Sequence, residues 1–224
     1  AMAGAAHAQS TGSVDFEQPI IVTGTVAKSV AGVETPNTTR AKQVLDQAII
    51  SRQAPGQSIN DIINLVPGVS FQNNDPFGSA GGTLTIRGFD STRISQTFDG
   101  LPLNDTGNYA LYSNQQLDPE LIEQVNVNLG STDVDSPTAA ASGSTVNYRT
   151  RKPTEDFGVR MVGSAGRFDF MRVFGSIDTG NLNASGLRAF IAASSATNDT
   201  IFGGIGQIDK KQINARIFQP LGDN

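Results

Sequence analysis

The chain has 224 residues, which is long enough to bury one or two hydrophobic cores. Hydrophobic residues make up 38% of it, and no apolar run approaches the roughly 18 residues that a membrane-spanning helix needs, which excludes a helical membrane protein. The net charge of −5 comes from 16 basic and 21 acidic residues scattered without a basic stripe, so we expect no nucleic-acid partner.

The residue types that common catalytic and metal sites require are scarce. The chain contains no Cys, and its single His, His7, lies in the N-terminal segment, so Ser-His-Asp catalysis and His-based zinc sites are not expected in the folded part. Asp and Asn cluster at residues 73–75 and 133–135, but these residue types favour turns as well as calcium. We predict no enzyme activity, no cofactor and no bound metal.

Residues 1–9 contain Ala6 and Ala8 at the spacing of a signal-peptide cleavage site, and we interpret them as a signal tail or a cloning remnant. A flexible segment, 10–33, is predicted to follow. It carries a short β-branched run, namely Pro19, Ile20, Ile21, Val22, Thr23 and Gly24. The run suits either a terminal edge strand or a mobile peptide that adds a strand to the sheet of another protein, and these residues alone do not decide between them.

The next stretch predicts a helix and then short strands. Ser58 can cap a helix, with Asp61 placed as in a capping box, and four apolar residues share one face before Pro67-Gly68 ends the helix: Ile59, Ile62, Ile63 and Val66. A segment in which apolar and polar residues alternate then begins with Val69 and Phe71, and further segments of this kind follow at residues 83–89 and 94–98. Asp99-Gly100 before Leu101 predicts a tight hairpin.

A second short helix is predicted where Asp118 can cap, Pro119 takes the first position and Glu120 lies in the first turn. Two alternating strands follow, carrying Val125, Val127 and Leu129 and then Val146 and Tyr148. Helices and strands intersperse without regular βαβ spacing. We therefore predict an α+β domain over residues 34–153, with a short mixed sheet and small helices.

In residues 154–224, apolar and polar residues alternate along the chain as they do in transmembrane strands. Residues 211–218 are the clearest case, because three apolar residues share one face and polar residues the other: Ile213, Ala215 and Ile217. Residues 157–165 and 187–193 alternate similarly. Residues 168–178 are ambiguous, because Arg172 shares a face with Phe174. About four antiparallel strands are too few to close a barrel, so an incomplete transmembrane barrel is predicted, with a soluble sandwich as the alternative.

Taken in order, several blocks resemble the TonB-dependent outer-membrane receptor family. The segment 19–24 is similar to the TonB box, and residues 58–69 resemble the plug helix that ends in Pro-Gly-Val. Residues 86–89 are similar to the family's Arg-Gly block, and residues 98–103 to its Asp-Gly-x-Pro block. Residues 117–129 are similar to the segment in which a short helix leads into a strand through an Ile-Glu pair, and residues 143–153 to the exit to the barrel.

The resemblance implies an outer-membrane receptor that takes up a scarce extracellular ligand, most commonly an iron-siderophore complex. The plug would gate the barrel, lipid would surround the strands, and the C-terminal domain of periplasmic TonB would pair with the box. Ligand contacts would come from the apical plug loops, through Asn73, Asn74, Asp75, Phe77, Asn108, Tyr109 and Tyr112. Contacts with the barrel would come from Arg87, Arg93, Arg149 and Arg151. The competing hypothesis is an exported soluble binding module.

Overall fold

The computed structural model describes residue 33 and residues 41–115, 117–132, 136–201 and 205–220. The predicted signal tail, the run 19–24 and the aspartates Asp133 and Asp135 lie outside the described residues. Within the described ranges, no helix is long and apolar enough to cross a membrane.

The described chain is mostly sheet, and it divides into an N-terminal domain and a four-stranded sheet that we call the wall sheet. The N-terminal domain contains β1 (Lys42–Asp46), α1 (Gln47–Ile50), α2 (Ile59–Ile63), β2 (Val69–Asn73), β3 (Gly82–Ile86), β4 (Phe89–Asp90), β5 (Ile94–Phe98), β6 (Leu101–Pro102), β7 (Ile122–Leu129) and β8 (Ser144–Thr150). The wall sheet contains β9 (Phe157–Ala165), β10 (Met171–Thr179), β11 (Arg188–Asp199) and β12 (Gln207–Phe218). The predicted fold class is confirmed, although β1 and α1 were not predicted.

The main sheet of the N-terminal domain has the strand order β1-β7-β8-β5-β6 and is mixed, because β5 runs parallel to β8 while the other pairs are antiparallel. A smaller sheet joins β2, β3 and β4. The predicted hairpin is present between β5 and β6. Asp99 and Gly100 have φ values of 46° and 85°, and such left-handed conformations at both central positions suit the right-handed twist of the flanking strands.

The core of this domain lies between α2 and the main sheet. The predicted capping box is present, since the Ser58 hydroxyl accepts from the Asp61 backbone N–H and the Asp61 carboxylate accepts from the Ser58 N–H. The apolar face of the helix is fully buried and packs with Val125, Val127 and Val146 of the sheet. Burial of each such side chain contributes about 1.5–3 kcal/mol, so the helix is held by packing more than by its single turn of hydrogen bonds.

A buried polar network joins α2 to the main sheet. The Asn60 side-chain oxygen accepts from the Gln96 amide at 2.9 Å and from the Tyr148 hydroxyl at 2.8 Å, and all three residues are buried. Burial, reinforced by the Asp61 carboxylate, raises the pKa of the Tyr148 phenol well above its usual value. The hydroxyl therefore stays protonated and remains a donor. The network fixes the rotation of α2 against β5 and β8.

The wall sheet is antiparallel in chain order, and its register resolves the ambiguous segment 168–178. The strand begins at Met171, and Arg172 and Phe174 point inward and are buried. Met171, Val173 and Ile177 lie on the outer face and are exposed. No second sheet among the described strands covers that outer face, so the alternative of a sandwich is not what this part of the chain forms.

We expect Asn60→Ala to lower the free energy of unfolding by about 2–4 kcal/mol, because two buried donors lose their acceptor. Urea unfolding followed by circular dichroism at a fixed detergent concentration measures the change. Gln72→Ala, on the exposed face of β2, is the control and should change stability by less than about 0.5 kcal/mol. Equal effects of the two substitutions would show that the network does not stabilise the domain.

Candidate functional site

The wall sheet packs its inner face against the N-terminal domain, and this interface is the candidate site. Its centre is apolar: Phe174 and Phe190 of the wall sheet pack with Leu121 of the domain, with Leu117 and Val162 at the margin. Every residue that points inward from the four strands contributes to the same surface, because side chains alternate between the faces of a sheet. Charged contacts lie on both sides of the apolar centre.

The strongest of these contacts is made by Arg172, whose side chain is only 3% exposed. Its two terminal nitrogens donate to both carboxylate oxygens of Glu120 at 2.7 and 2.9 Å, and Nη2 also donates to Asp118 Oδ1 at 3.0 Å. The Ser194 hydroxyl donates to the same Asp118 oxygen at 3.0 Å. This arrangement, which we call the Arg172 clasp, joins the two parts of the chain through a bidentate, charge-assisted contact.

The clasp corrects one prediction about the second short helix. Asp118 does occupy the position before the 3₁₀ turn Pro119–Leu121, but its carboxylate makes no capping hydrogen bond with any described residue of that turn. The reason is energetic, since a helix cap is worth about 1 kcal/mol while a buried charge without its partner costs about 3–5 kcal/mol. Gly56 makes room for the clasp, because a Cβ there would lie 2.8 Å from Arg172 Cδ.

A second set of polar contacts lies where the chain passes from β8 into the wall sheet. Arg151 donates to both carboxylate oxygens of Asp178 at 2.7 and 2.9 Å, and its guanidinium lies 4.4 Å from the centre of the Phe190 ring. Arg216 of β12 donates to the Thr150 carbonyl at 2.9 Å and lies 3.5 Å from the Asp99 carboxylate. The domain is thus fastened near both ends of the wall sheet.

The first predicted ligand loop, residues 73–80, is held in shape by its own polar side chains. Asp75 is buried, and its carboxylate accepts from the backbone N–H groups of Phe77 and Ala80. Asn73 donates to Asp61 at 2.6 Å, and the Phe77 ring stacks on Phe170 with centroids 3.9 Å apart. Only Asn74 of the four predicted contact residues has an exposed side chain. The other three hold the loop or meet the wall sheet.

The second predicted ligand loop is built on buried Asn104, whose amide donates to the carbonyls of Ile94 and Tyr109. Tyr109 has a φ of 58°, a left-handed conformation that is uncommon for a bulky side chain. Asn108 and Tyr112 are exposed. The two loops touch, since a Cβ at Gly81 would lie 3.7 Å from the side chains of Ser113 and Asn114. They form one surface next to the turn between β9 and β10.

Of the four arginines predicted to contact the barrel, one contacts the wall sheet and the other three lie elsewhere on the N-terminal domain. Arg151 reaches the wall sheet, whereas Arg87 donates to the Leu129 carbonyl at 3.2 Å and Arg149 lies 3.9 Å from half-buried Glu123, both inside the N-terminal domain. Arg93 is exposed. The Arg172 clasp was not predicted, because the predicted contacts with the barrel came from arginines of the N-terminal domain, whereas Arg172 belongs to the wall sheet. Its signal was a lone Arg placed among phenylalanines in a strand.

No group of three or more His, Cys, Asp or Glu side chains in the described ranges is arranged to hold a metal ion. The acids that do come together, Asp118 and Glu120, are both bound to Arg172. A cation at that place would have to displace the guanidinium from a buried position. The carboxylates of Asp118 and Glu120 therefore serve the contact between the two parts of the chain.

Comparison with known proteins gives a consistent result. Residues 34–144 match the family model of the TonB-dependent receptor plug domain. The solved structure of FpvA from P. aeruginosa bound to a ferric pyoverdine has a TM-score of 0.60 at 24% identity, over 75% of this chain and 21% of that one. FyuA, the ferric yersiniabactin uptake receptor from Yersinia pestis, has a TM-score of 0.60 at 17% identity, over 80% and 28%.

A third similar structure is the alcaligin receptor FauA from Bordetella pertussis, with a TM-score of 0.58 at 20% identity, over 77% of this chain and 29% of that one. The chain thus spans between about a fifth and a third of the length of these solved receptors. No curated protein matches it in sequence. At these identities the structural similarity establishes the fold.

We expect Arg172→Met to lower the free energy of unfolding by about 3–5 kcal/mol, because it leaves two buried carboxylates without a cation while keeping a long apolar side chain. Arg149→Met is the matched control, and its exposed ion pair should contribute less than about 1 kcal/mol.

Adding Asp118→Asn and Glu120→Gln to Arg172→Met should recover part of the lost stability, because the unpaired charges are then removed. Urea unfolding of the unsubstituted chain and the three variants measures both effects. If Arg172→Met were no more damaging than Arg149→Met, the clasp would not hold the interface together.

Proposed function

Since this chain belongs to the TonB-dependent outer-membrane receptor family, we propose that it forms the plug and the first wall strands of a receptor that imports an iron-siderophore complex. The N-terminal domain is the plug. Members of the family are outer-membrane receptors and not enzymes, and the chain is an outer-membrane protein accordingly. The observation that carries the proposal is a plug-type domain clasped to the inner face of a sheet whose outer face is apolar.

The outer face of the wall sheet supports a membrane setting. Met161, Ile213 and Ile217 are each more than 75% exposed there, as expected for side chains that contact lipid. Strands β9 and β10 have nine residues and β11 and β12 have twelve, against the roughly 9–11 residues that a tilted transmembrane strand needs. Inner-face residues are polar or pack on the plug, which is the alternation of a membrane barrel.

The proposed ligand is a siderophore because the similar receptors carry such ligands in their names, namely pyoverdine, alcaligin and yersiniabactin. We propose that the surface made by the two touching plug loops contributes contacts to it. Asn74, Asn108 and Tyr112 have exposed side chains for this purpose, and Tyr109 is half-buried beside them. Asp75 acts indirectly by fixing the first loop, whose tight hydrogen bonding reduces the entropy lost on binding.

The coupling partner in this proposal is the C-terminal domain of TonB, which would add a strand along residues 19–24. Val33 supports a mechanical link, because it lies nine residues beyond Gly24 and is fully buried in the plug core. Nine residues span at most about 30 Å, so a pull on the box reaches the core through a short tether. The plug would then be displaced or partly unfolded, which opens a path through the barrel.

We expect Ile21→Pro in the receptor that carries this chain to abolish energy-dependent uptake, because Pro removes a backbone N–H and fixes φ in the pairing strand. Binding of the ferric siderophore at the cell surface should persist. Ile21→Ala is the control, since backbone pairing survives the loss of the side chain and uptake should continue. Radiolabelled iron accumulation and surface binding, measured in the same cells, test this. Normal uptake by the Pro variant would contradict the coupling proposal.

A further inference from the structure

The first predicted ligand loop, residues 73–80, meets the wall sheet through a pair of aromatic rings. The ring of Phe77 is stacked on that of Phe170, with the centroids 3.9 Å apart and the planes 5° from parallel. Phe170 is buried and Phe77 is half-buried. Gly166 makes room for the pair, because a Cβ there would lie 3.3 Å from the Phe77 ring and 3.4 Å from the Phe170 ring. We call the two stacked rings the aromatic cover.

The aromatic cover lies next to the Arg172 clasp. Phe170 directly precedes β10 and is buried, as Arg172 is, so both side chains lie on the inner face of the wall sheet, about 7 Å apart along the strand. Gly56 of the plug touches both, because a Cβ there would lie 3.4 Å from Phe170 Cζ and 2.8 Å from Arg172 Cδ. Phe170 therefore forms the side of the clasp that faces the 166–170 turn.

The opposite side of the clasp is closed by the apolar centre of the interface. The Arg172 guanidinium lies 5.5 Å from the centre of the Phe174 ring, and Phe174 packs against Leu121 of the plug. Arg172 is thus flanked along the strand by two phenylalanines. Phe174 is covered by a packed cluster, whereas Phe170 is covered by a residue of a loop. Loops open locally more readily than packed cores do, so water reaches the clasp most easily from the side of Phe170.

Hydrogen bonds inside the loop connect its exposed part to the Phe77 ring. The buried Asp75 carboxylate accepts from the Phe77 N–H at 3.2 Å and from the Ala80 N–H at 2.8 Å. Asn74 directly precedes Asp75, has an exposed side chain and donates to the Ala80 carbonyl at 3.4 Å. A displacement of Asn74 or Ala80 is therefore transmitted to Phe77 through Asp75.

We propose that the aromatic cover sets the strength of the Arg172 clasp by excluding water from it, and that displacement of the first ligand loop admits the water. Arg172 and its two carboxylates are strongly coupled while they are buried, and the coupling falls to that of a surface ion pair once water solvates them. This inference rests on the proposed uptake function, since a ligand that shifts the loop would weaken the clasp. Phe77 then acts on the clasp and does not touch the ligand itself.

The test uses thiol labelling of the 224-residue chain in uncharged detergent, because the chain has no Cys and an introduced thiol is unique. Ala196→Cys places a thiol at a buried position beside Arg172, in the same row of the wall sheet. Phe77→Ala in this background should raise the rate of labelling by a small maleimide about 10-fold, because the clasp loses its cover. Asp75→Ala keeps the ring but frees the loop, and it should raise the rate about 2- to 10-fold.

Two controls separate opening of the cover from other effects. Phe168→Ala removes the same kind of ring from the 166–170 turn, at an exposed position, and should leave the rate unchanged. Ala192→Cys is a second reporter, buried in the apolar centre of the interface. Its labelling rate should be the same with and without Phe77→Ala, because that centre keeps its own packing.

The inference is overturned if Phe77→Ala or Asp75→Ala leaves the labelling of Ala196→Cys unchanged, if Phe168→Ala accelerates it as much, or if Phe77→Ala accelerates both reporters equally. Labelling requires neither ligand, TonB nor transport. A failure here therefore leaves the uptake proposal intact, and a receptor that fails the Ile21→Pro test leaves the labelling result intact.

Discussion

The Arg172 clasp is the interaction on which the arrangement of the two parts depends. A guanidinium that is almost completely removed from water must be neutralised nearby, and its carboxylates are supplied only by the plug. Other features follow from this requirement, including the glycine at position 56, the small Ala196 beside the arginine, and the use of Asp118 for the clasp instead of a helix cap. The position of the plug is fixed by the Arg172 guanidinium of the wall sheet, which is neutralised by the plug carboxylates of Asp118 and Glu120.

The same interaction has the energetic character that a gate needs. While the interface is dry, separation of Arg172 from its carboxylates would leave buried charges unpaired, which costs several kcal/mol. Once water enters, the same ion pair is worth about 1 kcal/mol or less, because both partners are solvated when they part. In the proposed import cycle, a plug fastened in this way would stay seated at rest and would release cooperatively once force opened a path for water. The second set of contacts, around Arg151 and Asp178, behaves similarly but is already less buried.

In the proposed membrane setting, one face of the wall sheet contacts lipid and the other face contacts the plug. In β10 this produces an outer face with Val173 and Ile177 and an inner face on which Phe174 lies between the charged residues Arg172 and Asp178. Arg172 and Asp178 mark the inner face, because each charge is buried against a partner of opposite charge outside the wall sheet. The two predicted ligand loops are organised in a related way, since buried Asp75 and Asn104 form hydrogen bonds with backbone atoms of their own loops and leave other side chains exposed to solvent. These local hydrogen bonds hold each loop in a defined shape.

The sequence by itself determined the features that local chemistry controls. The capping box at Ser58, the hairpin at Asp99-Gly100 and the alternation in residues 211–218 need only neighbouring residues, so their patterns identified them correctly. Tertiary structure alone decided which face of β10 is inward, because apolar residues lie on both faces of residues 168–178 and the acids that bind Arg172 lie more than fifty residues away in the chain. It likewise decided the role of Asp118, since a local cap competes with a distant buried charge and the larger energy wins.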